Sequence, residues 1–400
     1  MSDLQTPVNG HENNVTKKRP ALAAFLNLIV PGLGYVYAGN VKKGIIIYFL
    51  FILVVVISIR FVAYTFILLL GGVGLIIAFY IYLIVGGYRA VGKARHWEAK
   101  RWDVWYVYVL AICVEIGLRT YLQSISHSVD HLSPITPVVI PTPAMTPTLQ
   151  VGDHLMFRKT KTIARNEVVV FKWPLDQKTM YIKRCVGMPG DTFSIRKATV
   201  FINSDSLTGD YTLKYEYLVQ TDGVLIQQRV LDQFGIVESE FYLVAPGMYK
   251  MFLTQDQTQQ VKELAFIKSV ERGITGEDEP ESDVYPHVGV AEWNRDNFGP
   301  LYVPKRGDRI PLTRRNLERY GTCLEYENES VQILDSAAVV NGKQVDAYEF
   351  KDNYYFMMGD NRHNSYDSRY WGFVAESMVL GKALYFYASK DLNRIGMSVR

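Results

Sequence analysis

Three stretches carry side chains whose types and spacing could do chemistry: PTPAMTPTLQVGDHLMFRK from Pro141, YIKRCVGMPGD from Tyr181, and MMGDNRHNSYDSRYWGFV from Met357. In each, polar and glycine residues interrupt runs that would otherwise read as apolar strand. Taken singly, each has an ordinary explanation: a proline-rich linker into a strand, a basic strand entering a Pro-Gly turn, and an Asx-rich loop. Metal chemistry is not expected, because the seven histidines include no HExxH and His127 and His131 of HSVDH read as solvated linker residues. Asp360 and Asp367 lie in neither a DTG nor a DSG loop, which argues against an aspartic dyad. No cofactor is implied.

The elements that must position these residues fall into two textures. Only 21% of the 400 residues are charged, and apolar residues concentrate towards the N-terminus, so a membrane part and a soluble part are expected. Residues 1–19 read as a disordered tail. Residues 20–38, broken by Pro31, Gly32 and Gly34, suggest an interfacial or re-entrant helical pair. Spans are expected at 44–59, 61–87 and 104–122, where the run from 61 exceeds the roughly 20 apolar residues a bilayer requires. Glu115 is a cost within the last of them. The basic stretch 89–101 belongs in the cytoplasm by the positive-inside rule, which sends everything after Gln123 to the outer side. The net charge of +3 is too small to suggest a nucleic-acid surface.

Beyond Pro134 short β-type runs take over: DHLMFRK, EVVVFKW, TMYIKRCV, DTFSIRKATVFIN, YYFMMG and VLGKALYFYA each suit a strand, and VVNGKQV carries an Asn341-Gly342 hairpin turn. The expected fold is N-terminal transmembrane α-helices followed by a mainly antiparallel β ectodomain. That ectodomain occupies 123–202 and 337–390, with an inserted α+β subdomain at 203–336 and a tail at 391–400. Cys113 sits in an apolar run, and Cys185 and Cys323 are left as a pair that an oxidising compartment would permit.

In this order, behind apolar spans, the three motifs closely resemble the bacterial type I signal peptidase family. The resemblance covers the last span and most of residues 135–390, and DNFGPLYVPKRGD is similar to the longer family members. It implies a serine endopeptidase built on a Ser/Lys dyad, with no histidine. The nucleophilic serine of the first motif falls on Ala144, the general base on Lys183, and the oxyanion hole on the Thr142 side chain with the amide of residue 144. Ser365 matches the residue that holds the lysine amine. Asp367 and Arg369 match a supporting ion pair, Gly359, Asp360, Asn361 and Arg362 shape their loop, and Arg184 is structural. Met145 and Ile182 are candidates to line shallow substrate pockets. A lysine serves as base only with its pKa lowered by burial.

Alanine has no atom that can attack a carbonyl, so the chain as written is expected to be silent. Either the serine was replaced to prevent turnover or self-cleavage, or the chain is naturally non-catalytic. Shifting attack to Thr146 or Thr148 would misplace the oxygen by several ångströms, where even about 1 Å can cost 10²-fold. The implied partners are preproteins whose signal peptides end in Ala-x-Ala, together with membrane lipid, and the implied location is the bacterial cytoplasmic membrane with the β domain outside. The alternative is a membrane receptor or chaperone that binds signal peptides without cutting them.

Overall fold

Pro31 and Gly32 divide the first apolar segment into α1 (Pro20–Ile29) and α2 (Leu33–Tyr37). Gly32 has φ +93°, and a Cβ there would lie 2.2 Å from the Gly44 carbonyl oxygen, so only glycine fits. The computed structural model describes residues 18–62, 66–93, 105–129, 134–287, 292–328, 330–334 and 337–400. It divides into two units, residues 1–134 and 135–400. Residues 1–17 of the expected tail at 1–19, residues 94–101 of the basic stretch, and His131 lie outside the described residues.

In the first unit α3 (Val41–Val62) and α4 (Phe66–Lys93) contain segments, Val41–Ser58 and Phe66–Gly92, long and apolar enough to cross a membrane. Asn27 is buried because both ends of its amide are used: Nδ2 donates to the Leu83 carbonyl at 2.7 Å, and Oδ1 accepts from the Gly34 amide at 2.8 Å. The third expected span differs. Helix α5 runs Trp105–Val129, but its apolar part ends at Gly117, since Arg119, Thr120, Gln123 and Ser124 follow. Glu115 on α5 accepts a hydrogen bond from the Tyr48 hydroxyl at 2.8 Å, which offsets the cost of its carboxylate.

The second unit is mainly antiparallel β. Its largest sheet has the order β1 (Ile135–Val139), β2 (His154–Lys159), β20 (Val379–Ala388), β3 (Val168–Lys172), β4 (Met180–Gly187), β18 (Tyr354–Met358), β19 (Val374–Ala375). β3 aligns Val169 with Lys183, and β18 aligns Met358 with Arg184. These two ladders carry the second and third motifs onto neighbouring strands. DTFSIRKATVFIN, expected as one strand, folds as a hairpin, β5 (Thr192–Arg196) and β6 (Thr199–Ile202), turning at Lys197 and Ala198, both with positive φ. Phe193 of β5 stacks on Phe356 of β18 at 4.1 Å between ring centroids, joining this hairpin to the main core.

Residues 203–336 hold a second antiparallel sheet, ordered β11 (Ile267–Arg272), β8 (Tyr215–Thr221), β10 (Met248–Leu253), β9 (Phe241–Ala245). It has its own core around Val219, Tyr249, Met251 and Leu253, shared with Leu231 of α6 (Gln228–Asp232) and Val261 of α7 (Gln255–Lys262). Thr254 caps α7 through a capping box with Gln257. The strand ladders run across both expected boundaries. β7 (Asp205–Ser206) pairs with β6, and β12 (Phe298–Tyr302) returns to pair with β5. After β13 (Arg309–Pro311) and α8 (Arg314–Glu327), a three-stranded sheet of β14 (Val331–Ile333), β15 (Ala338–Val340) and β16 (Lys343–Val345) spans residue 336. β17 (Ala347–Glu349) then pairs with β13, and α9 (Ser368–Trp371) follows the third motif. All three cysteines are free; Cys185 and Cys323 are buried unpaired in the main core as small apolar side chains.

Candidate active site

After β1 the chain makes one turn of 3-10 helix, Pro143–Met145, that buries Ala144 and Met145. Thr142 precedes it in extended conformation, exposed, with no capping bond from its side chain. The Ala144 carbonyl accepts the Asn361 amide at 3.1 Å, while Asn361 Nδ2 donates to the Pro143 carbonyl at 3.2 Å and to Thr146 Oγ1 at 2.9 Å. The loop after β18 is therefore pinned to the turn that carries residue 144. Gly359 marks the tightest point. A Cβ there would meet Ser365 Oγ at 2.2 Å and the Ala144 carbonyl oxygen at 2.4 Å, so only a bare α-carbon lets the first and third motifs close on each other.

Lys183 is 4% exposed on β4, with its Nζ 5.5 Å from the centre of the Tyr181 ring. Burial pulls its pKa down from the ordinary 10.5 to about 8, against the opposing pull of Asp367 and Asp360. Both carboxylates are already committed. Asp360 takes a two-pronged ion pair from Arg184, Nε to Oδ1 at 2.8 Å and Nη2 to Oδ2 at 2.6 Å, with both side chains fully buried. Asp367 pairs with Arg369 through two bonds of 2.9 Å and also accepts the Gly359 amide at 3.0 Å. Burial alone would raise the Asp367 pKa, but Arg369 overrides it and holds the carboxyl below its usual range. Arg362 is buried beside them, and its carbonyl accepts from Arg369 Nη2.

Two expectations change at the level of contacts. Ser365 Oγ is buried without a hydrogen-bond partner, so the expected bond to Lys183 is not formed; the hydroxyl sits against the Gly359 α-carbon instead. Met145 is 1% exposed and packs with Ile140, Leu149, Phe157 and Phe386, so it supports the turn from beneath and does not line a surface pocket. Ile182 is half-buried at the edge of the same cluster. The two neighbouring hydroxyls are spoken for: Thr146 Oγ1 donates to the Pro143 carbonyl at 2.8 Å, and Thr148 Oγ1 donates to Asp360.

A further group has no counterpart in the sequence reading. Lys214 and Glu240 form a buried ion pair at 2.5 Å, and Glu240 Oε1 lies 3.4 Å from Thr146 Oγ1. Lys214 also bonds through its backbone, donating its amide to the Asp360 carbonyl and accepting from the Arg362 amide, both at 2.9 Å. The segment entering the second sheet thereby braces both loops of the site. Two charged residues in a polar stretch gave no signal of this, because their burial arises only from the tertiary fold. Among the described residues no cluster of His, Cys, Asp and Glu is arranged to hold a metal.

Comparison with known proteins identifies the family. A family model for signal peptidase, peptidase S26, matches residues 115–262 and 305–388, more than half of the chain. The chain belongs to that family, whose members are serine hydrolases that remove signal peptides. Signal peptidase I from Buchnera aphidicola subsp. Schizaphis graminum is 28% identical over 283 residues, covering 63% of this chain and 68% of the relative. Signal peptidase I from Aquifex aeolicus is 24% identical over 274 residues, 62% of this chain and 74% of the relative.

Proposed function

We propose that the chain is a signal peptidase of the Ser/Lys type held silent by Ala144. Lys183 is the general base, and the amide of residue 144 with the Thr142 hydroxyl forms the oxyanion hole. Ser365 packs its hydroxyl against Gly359, where the loop after β18 closes onto residue 144. Asp367–Arg369 and Arg184–Asp360 fix the loop around them, and Ile182 borders the pocket for a small substrate residue. The observation that carries this reading is the fully buried Lys183, with its pKa lowered to about 8, on the strand beside the loop that Gly359 closes onto Ala144. An amine so poised can accept a proton near neutral pH, and a solvent-facing lysine cannot.

The lost oxygen acts on the barrier and not on the pockets, so the chain as written should still bind signal peptides ending in Ala-x-Ala. Peptide affinity measured for it, and for Ala144→Ser with an uncleavable bond, should agree within about threefold. Replacing the small residues of the peptide by large ones should abolish both. Sequence-dependent binding by the serine form alone would sink the idea of an intact, silenced site.

We assign the apolar helices of the first unit to a membrane anchor in the bacterial cytoplasmic membrane, with the basic stretch 89–101 inside and the β domain outside. Two segments of sufficient length and apolarity support this, Val41–Ser58 and Phe66–Gly92. In a background lacking the three native cysteines, a cysteine at position 94 should resist an impermeant thiol label in intact cells and react after permeabilisation. Labelling of intact cells would reverse the topology.

A further inference from the structure

Beside the second sheet lies a half-open cavity of about 730 Å³, walled by Tyr211, Tyr215, Tyr217, Asp256, Lys262 and Arg272 among others. Arg272, the last residue of the edge strand β11, stacks its guanidinium on the Tyr215 ring at 3.5 Å. Its Nε and Nη2 are buried and have no hydrogen-bond partner. Guanidinium donors left unmade inside a protein cost free energy, and the group that completes them best is a carboxylate, which accepts two parallel N–H bonds. Lys262 adds a second positive charge at the rim, against the single acidic wall residue Asp256. The tyrosines offer flat faces and hydroxyls suited to a peptide flanking that carboxylate.

The cavity is tied to the candidate active site by the backbone. One edge of residues 360–362 bonds Ala144 and the other bonds Lys214, which lies between the wall residues Leu213 and Tyr215. Two strand spacings separate the backbones of 144 and 214, about 10 Å. An extended peptide crosses that distance in about three residues. Signal-peptide residues on the other side of the scissile bond are apolar or small, so a carboxylate at this distance belongs to the mature side. Resting on the function proposed above, we propose that the Arg272 cavity binds an acidic residue of the substrate's mature segment, about three to five residues beyond the scissile bond.

The test uses the full chain as written, in detergent, with two fluorescent peptide series. One joins Ala-x-Ala to a mature segment with Glu or Gln at each of the third to fifth positions; the other is the mature segment alone. Glu should bind about tenfold more tightly than Gln at one of these positions in both series. Arg272→Gln should remove that preference while leaving the Gln peptides unchanged, and Arg272→Lys should keep part of it. Equal binding of Glu and Gln peptides, or a preference that survives Arg272→Gln, overturns the proposal whatever happens at Ala-x-Ala. A Glu preference that depends on Arg272 without any dependence on Ala-x-Ala upholds the acidic-residue site and overturns the silenced-peptidase reading.

Discussion

Replacing Ala144 by serine should switch on cleavage of an Ala-x-Ala precursor, raising turnover by at least about 10⁴-fold, the scale on which removing a nucleophile silences serine hydrolases. The reason is local. The assigned base and oxyanion donors are all in the chain, and neither Thr146 nor Thr148 can substitute, since each hydroxyl is already bonded elsewhere. Adding Lys183→Ala to the serine form should return cleavage to the baseline, because residues acting as one unit fail together. Precursor processing in detergent, with urea melts to confirm folding, checks both steps. A serine form as inert as the alanine form would remove Lys183 from its assigned role.

Arg184→Met should lower the stability of the β unit by about 3–5 kcal/mol, the range for stranding one partner of a buried ion pair. Asp360 would lose both guanidinium bonds in a fully buried site. Combining it with Asp360→Asn, which removes the stranded carboxyl group, should recover about half of the loss or more. Urea unfolding midpoints measure both. A change below about 1 kcal/mol for the single variant would mean that water reaches the pair and that it does not hold the loop.

How far the sequence foretold this structure depends on which signal each element carried. Asn341-Gly342 announced its turn, with positive φ at both residues. Lys197-Ala198 makes a turn of the same kind with residues that rarely adopt it, so two strands looked like one. β1 went unread because Pro137 interrupts ITPVV; proline is tolerated there since β1 is an edge strand. In the site, Lys183, Gly359, Asp367 and Arg369 were legible only through the family resemblance of the three motifs taken together. Met145 was misplaced because an apolar residue in a polar stretch looks like a pocket wall, whereas the 3-10 turn folds it inward. Lys214 and Glu240 were invisible: the pairing of distant charges depends on how the second sheet returns to the loop.

The central claim is that a neutral, buried Lys183 amine serves an oxygen at position 144, and the pH dependence of kcat/KM for the Ala144→Ser form tests it most directly. Burial lowers the folded-state pKa to about 8, so below that pH the amine is mostly protonated and cannot accept a proton. The rate should fall about tenfold per pH unit below pH 8 and level off above it, since kcat/KM reports the free enzyme's base. A rate that is flat from about pH 6 to 9, or that levels off near pH 5 as a carboxylate base would dictate, would contradict the account.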